Sequence, residues 1–444
     1  MKRQSESMKR YFGKNVLAAL VMAAVALAQG DVRGQVSVPG IDKPVVVVRG
    51  RITSNTTWVA QNYYVLRGAV FVAEGATLTI QAGTTVVGEL ATAGALVVER
   101  GAQIVAVGTA AAPVVFTSDQ PIGERARGDW GGLIINGRAP VNLPGGVGLG
   151  EGDTGAYGGT DPNDSSGILQ YVRVEFAGIE FSPDNELNGI AFQGVGRGTV
   201  VDHVQVKYNK DDCVEFFGGT VDIKYVLLTA CGDDSLDWTF GWTGRAQFMI
   251  IHQSGDDADN GFESDNNANN NDLLPRSAPT IYNATLIGDP DTAEGNESDD
   301  GMELREGTAG IIRNFIVTGF KENGIDFSND ATLAQWANGA LSVTHGVLFN
   351  NATLAGANFD SNARPLLSTV STIILDRDPG LTDPYNIDTP NYRPSGIATL
   401  AGGQLAPATP PNDGFFEVTT WIGALSPDPA QDWTQQGWTN YERR

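Results

Sequence analysis

Asp211-Asp212-Cys213-Val214-Glu215 returns as Asp233-Asp234-Ser235-Leu236-Asp237, Asp259-Asn260-Gly261-Phe262-Glu263, Asp299-Asp300-Gly301-Met302-Glu303 and Glu322-Asn323-Gly324-Ile325-Asp326. The shared pattern is acid, acid or amide, small, apolar, acid, and Leu187-Asn188-Gly189-Ile190-Ala191 is a degenerate earlier copy. Counted from Ile190, the apolar fourth positions lie 24, 22, 26, 40 and 23 residues apart. That spacing suits one circuit of a three-sided β-solenoid, in which a unit too small to bury its own apolar face must stack on its neighbours. The 40-residue interval requires an insertion, which the Asn-rich stretch 265–272 and the loop 288–298 supply.

Outward from these segments the chain keeps the same character. β-Rich runs at 220–230, 246–252, 280–287 and 311–318 fall between the acidic segments, while stretches of 3.6-residue periodicity are hard to find. Nearer the N-terminus, Val70, Val72, Leu78 and Ile80 recur one coil later as Leu96, Val98, Ile104 and Ala106. Alternate residues stay apolar or small, as a strand with one buried face requires. The same alternation turns the fourth and sixth positions (Phe216, Trp238, Leu304 and Phe327) inward and the third and fifth outward. The reading is all-β: a right-handed parallel β-helix over 66–350, an N-terminal cap region at 29–65, and an irregular C-terminal cap at 351–444. The last segment holds Pro365, Pro379, Pro384, Pro390 and Pro394, then the aromatic tail Phe415-Phe416, Trp421, Trp433 and Trp438. It is expected to cover unpaired strand edges and exposed core; a carbohydrate-binding aromatic patch is the functional alternative.

Residues 1–28 read as an export signal. Lys2, Arg3, Lys9, Arg10 and Lys14 precede the apolar run 16–26, and Ala26-Leu27-Ala28 offers small residues at a cleavage site. The run is shorter than the roughly 20 residues a membrane span needs, so the mature chain is expected not to span a membrane. The full chain carries a formal charge of −23; without residues 1–28 it holds 24 basic against 51 acidic residues, near −27. Such a charge repels phosphate backbones and anionic headgroups, which argues against nucleic acid and favours cations or neutral and basic ligands. The expected location is periplasmic, extracellular or at the cell surface. Cys213 and Cys231 are too few to be a disulfide scaffold, and their 18-residue spacing leaves open a disulfide or two separately packed thiols.

With Gly101-Ala102-Gln103-Ile104, Pro113-Val114-Val115-Phe116-Thr117-Ser118, Gly128-Asp129-Trp130-Gly131-Gly132-Leu133 and the terminal Trp421-Ile422-Gly423-Ala424, the chain resembles a family of secreted bacterial right-handed parallel β-helix proteins of pectin-lyase-like type. The resemblance covers nearly all of the chain after residue 28. It implies the fold and leaves the activity open.

Stacked strands lie about 4.8 Å apart, so Glu215, Asp237, Glu263, Glu303 and Asp326 are expected to form a column of carboxylates. Ca²⁺, which takes six to eight oxygen ligands in irregular geometry, is the ion that would relieve it. The ligands expected are Asp211, Asp212, Glu215, Asp233, Asp234 and Asp237, on two coils with no insertion between them. The opposing reading is that the turn acids cap their own backbone and the fifth-position acids fan into solvent. Lys210 and Lys321, each preceding an acidic segment, are read as solvated. Phe217 and Trp242 are the aromatic residues expected to stack on a sugar.

The enzymatic alternative is a pectinase-like hydrolase or lyase. Asp211-Asp212-Cys213 resembles the Asp-Asp-Cys element of polygalacturonases, which would give Asp211 and Asp212 the acid and base roles, completed by Asp233 or Asp234. The His-Gly element that family places one coil later is missing: His345-Gly346 lies far downstream, and no Arg-Ile-Lys element occurs. A lyase would need a base, and Lys207, Lys210 and Arg245 are undistinguished by spacing. The expectation is therefore a secreted or surface binding or structural protein whose partner is polysaccharide or a cell-envelope protein.

Overall fold

The computed structural model describes residues 42–182, 185–291, 297–351, 363–396 and 405–443; the expected export signal at 1–28 lies outside them. Each coil contributes to three parallel sheets. The first carries the acidic segments and runs through Ala95–Val98, Leu133–Asn136, Ile190–Gln193, Val214–Phe217, Leu236–Thr239, Phe262–Ser264, Met302–Leu304 and Asp326–Phe327, each paired in parallel with the next. Val214 stands beside Leu236, Phe262 and Met302 in turn, so the repeat read from the sequence is the register of the sheet.

The second and third sheets come from single long strands that bend: Val200–Lys207, Asp222–Thr229, Arg245–His252, Thr280–Ile287, Gly310–Thr318 and Leu341–Phe349, preceded by Gly167–Glu175. The elbow is one left-handed residue per coil. Tyr171, His203, Tyr225, Phe248, Asn283, Asn314 and His345 all have φ between +50° and +61°. A side chain in this region costs roughly 1–2 kcal/mol, and asparagine bears it best. The aromatic elbows recover it by stacking: Tyr171 on His203 and His203 on Tyr225 at 4.4 Å, Tyr225 on Phe248 at 4.9 Å.

Parallel pairing begins at Val45, opposite Tyr63, and still holds at Leu375, opposite Leu348. The solenoid therefore reaches past both limits read from the sequence, 66 and 350, because the outer coils keep the alternation without the acid motif. The fourth and sixth positions point inward as expected, with Val214, Phe216, Leu236, Trp238, Met302 and Leu304 all buried. The third position does not point outward. Cys213 is buried, and a Cβ added at Gly189, Gly261 or Gly301 would meet Val206, Leu286 or Val317 side chains. Residues there are small because the corner is packed against the interior.

The C-terminal segment does more than cap an end. Ala363 and Leu367 are buried against the solenoid core, whereas 405–443 lie along the flank, over the outer side of the bent strands. Gln205 exchanges hydrogen bonds with Asn440, Gln247 with Glu417 and Asn314 with Ala408, while Asn283 donates to Thr419, Trp421 and Gly423. Trp438 meets Tyr171 and His203 edge-on, and Trp433 meets Tyr225 the same way. The tail thus covers the aromatic elbow column, which no terminal cap would reach. Among the described residues no helix is long and apolar enough to cross a membrane.

Candidate functional site

The column of fifth-position acids is present: Glu215 stands beside Asp237, Asp237 beside Glu263, Glu263 beside Glu303 and Glu303 beside Asp326. It divides into two halves by how its charge is met. In the later half Arg305 forms ion pairs with Glu263, Asp265 and Glu303, and the Ser328 hydroxyl lies within hydrogen-bond distance of both Glu303 and Asp326. In the earlier half, none of Asp211, Asp212, Glu215, Asp233, Asp234, Asp237 and Asp259 is in an ion pair among the described residues.

The second-position acids stitch coil to coil. Asp212 Oδ1 accepts from the Asp234 N–H at 3.0 Å, Asp234 Oδ1 from the Asn260 N–H at 2.6 Å, and Asp300 Oδ1 from the Asn323 N–H at 2.7 Å. The turn acids expected to cap their own backbone instead bond the backbone of the next coil at these three positions. Asn188 Nδ2 donates to Glu215 Oε2 at 2.6 Å, and Asp237 Oδ1 is a buried acceptor with no hydrogen-bond partner among the described residues.

Three carboxylate groups can each bring one oxygen within 4.8 Å of the others in three overlapping sets: Asp211, Asp212 and Asp233; Asp212, Glu215 and Asp237; Asp233, Asp234 and Asp259. Two unit charges at that distance repel by about 3.5 kcal/mol at an effective dielectric near 20. Burial and then the neighbouring carboxylates raise Asp211 to about 8 and Asp233 to about 6; they hold Asp212, Glu215 and Asp234 well above the ordinary range. Burial raises Asp237 to about 6 against the lowering effects of its hydrogen bond with Glu215 and of Arg305, and burial and Asp233 raise Asp259 to about 6. At neutral pH the cluster must keep protons or take a cation. Oxygens bound to one calcium ion at about 2.3–2.6 Å lie within about 5 Å of each other, a limit these sets meet.

Cys213 and Cys231 form a disulfide with Cα atoms 5.5 Å apart, which closes the question left open by their spacing. It joins the turns that carry Asp211-Asp212 and Asp233-Asp234.

Both proposed stacking residues are corrected. Trp242 is fully buried, stacked on Phe216 at 4.0 Å with Nε1 donating to the Val221 carbonyl; it sits in a turn, where strand parity does not apply. Phe217 does face outward but is covered by Tyr157 and Phe240, at ring distances of 6.0 and 6.3 Å. Lys321 is not solvated. It is buried, with no hydrogen bond to Nζ among the described residues and with Asp289 and Asp299 among the acids that act on it. Lys210 is exposed, as expected.

Of the candidate lyase bases, Lys207 and Arg245 lie badly for the acidic face, whereas Lys210 is exposed beside Asp211 and acts on Asp233. Lys207 is buried on the third sheet, where its Nζ donates to the Glu442 carbonyl of the tail, and burial lowers it to about 8. Arg245 is held by Asp222 and Asp413. Arg305, Asp265, Asn188 and Asp259 were not singled out from the sequence as site residues. Strand parity was the available signal for two of them, since Asp265 and Arg305 each lie two residues beyond an outward acid.

Three sheets closed by one left-handed elbow per coil, with polar side chains ranked along the outer side of the first, define a right-handed parallel β-helix. The pectate-lyase-like β-helix domain model matches residues 50–374, and the chain belongs to that family. Among solved structures, the pectate lyase Pel9A matches over 87% of this chain and 86% of its own, at 13% identity and a TM-score of 0.34. No curated protein matches the chain.

Proposed function

We propose that the chain is an exported protein of the cell surface that binds polysaccharide through a divalent cation held on its first sheet. The single observation behind this reading is the earlier half of the carboxylate column: seven acids, three overlapping sets of oxygens within 4.8 Å, and no ion pair to any of the seven among the described residues. The later half has the same register and carries Arg305 instead, so the difference lies in compensation rather than in fold. Calcium fits the ligand type, with Asp212, Glu215 and Asp237 as the central set and Asp211, Asp233 and Asp234 around it. An ion held there keeps positions open to solvent, where carboxylate or hydroxyl oxygens of a sugar chain complete its shell.

Binding is favoured over hydrolysis because the His-Gly and Arg-Ile-Lys elements that accompany Asp-Asp-Cys in polygalacturonases are missing here. Asp211, Asp212 and Asp233 can each bring one oxygen within 4.8 Å of the others, an arrangement that lets them share an ion. Isothermal titration with Ca²⁺ after chelation, followed by polygalacturonate with and without Ca²⁺, tests both halves of the reading. Saturable Ca²⁺ uptake and Ca²⁺-dependent retention of the polymer, intact after incubation, are expected. No heat at millimolar Ca²⁺ overturns the cation, and new reducing ends or unsaturated products overturn the binder.

A further inference from the structure

We propose a second ligand site, for one neutral sugar ring, at the corner where the third sheet turns toward the first. A cavity of about 410 Å³ opens there, between the ends of the strands Arg245–His252 and Thr280–Ile287 and the segment 385–388. That volume is within the usual range for small-molecule pockets.

The floor of the cavity is built. His252 is only 2% exposed, and its Nδ1 is hydrogen-bonded to the Tyr392 hydroxyl at 3.0 Å, with the two rings edge to face. Nε2 is then the remaining polar atom of a ring that lines the cavity. Burial lowers this histidine to about 3, so it meets a ligand as a neutral imidazole. A second ring nitrogen at the wall of a cavity offers a bond to a ligand hydroxyl or a water molecule.

The walls and rim narrow the class. Tyr208 and Tyr385 both line the cavity, and Tyr385 is anchored by Thr318 and Asn350 at its hydroxyl. Two of the three rim carboxylates are paired with arginine. Asp388 is bonded by Arg443 and Asp256 by Arg127; Asp289 caps the Gly255 and Asp291 N–H groups and acts on buried Lys321. A free cation or anion would have to break one of these pairs. A pyranose need not: its C–H face suits a tyrosine ring, and its hydroxyls suit planar carboxylate and guanidinium groups whose charges are already balanced.

The site is separate from the cation cluster, so the experiment is done in chelator, where the cluster contributes nothing. Saturation-transfer NMR with the methyl glycosides of glucose, galactose, mannose and xylose is expected to show transfer to at least one of them. Tyr385→Ala is expected to weaken that binding at least tenfold, and Ile387→Trp, which places an indole in the cavity, to abolish it. Asp237→Asn is expected to leave it unchanged. Both 385 and 387 lie on a surface segment, so the fold is expected to tolerate their replacement. Absence of transfer from all four glycosides, or binding by either cavity variant as tight as by the parent chain, overturns the proposal without touching the cation reading.

Discussion

Replacing Asp237 by Asn is expected to change stability in opposite directions with and without calcium. Asp237 belongs to the set with Asp212 and Glu215, and it is among the charges that raise Asp212, Glu215, Asp233 and Asp234. Its own carboxyl is raised from 3.8 to about 6. A carboxylate whose folded value exceeds its unfolded value binds its proton more tightly when folded. Stability is therefore fullest below about pH 4 for this group and is lost as pH rises through 6, by about 3 kcal/mol once ionisation is complete. In EDTA at pH 8, Asp237→Asn removes this loss and relieves its neighbours, so the variant is expected to be more stable than the parent chain by up to that amount. With calcium the order reverses, since an ion at 1,000 times its dissociation constant adds about 4.1 kcal/mol that the weakened site forfeits. Urea denaturation followed by tryptophan fluorescence, at pH 5 and pH 8 in EDTA and in Ca²⁺, reads all four corners. A variant less stable than the parent in EDTA at pH 8 would refute the claim that burial of this carboxylate outweighs its hydrogen bond with Glu215 and the charge of Arg305.

Four further outcomes follow from the same structure. Arg305→Gln removes the cation that Glu263, Asp265 and Glu303 share, so the loss of stability is expected to grow from pH 5 to pH 8, read by the same denaturation curves. Reducing the Cys213–Cys231 bridge frees an 18-residue loop, with an expected cost of about 3 kcal/mol on a chain-entropy basis; equal urea midpoints with and without reductant would contradict it. Trp438→Ala is expected to cost about 3–5 kcal/mol and to increase binding of a hydrophobic dye, because the indole is fully buried against the elbow column. Gly301→Val is expected to destabilise more than Glu303→Gln, since the added side chain must displace Val317 while the amide stays at the surface; comparable melting temperatures for the two would count against the inward corner.

The fold was legible because a solenoid writes its register into the chain. Val214, Leu236 and Phe262 recur at nearly one coil length and Met302 follows after an insertion, and the structure sets them side by side. The acid column followed from the same spacing together with strand parity. Parity fails outside strands, which is why Trp242, in a turn, was wrongly given to a ligand and why the third position was turned the wrong way. Phe217 had the correct face, but which side chains lie over an outward residue depends on segments far away in the chain, here Tyr157.

What the sequence by itself determined, then, is everything that depends on neighbours one coil apart: the repeat, the inward apolar rows, the column of fifth-position acids and the strongly negative charge of the chain. The tertiary structure decided what depends on residues far apart in the chain. It laid 405–443 along the flank instead of over an end, closed Cys213 on Cys231, placed Arg305 among Glu263, Asp265 and Glu303, and left Asp212, Glu215 and Asp237 without such a partner. The physical reason is that periodicity encodes contacts between repeats that share a register. Insertions, turns and the tail have no register to share, and their placement follows only from the packing of the whole chain.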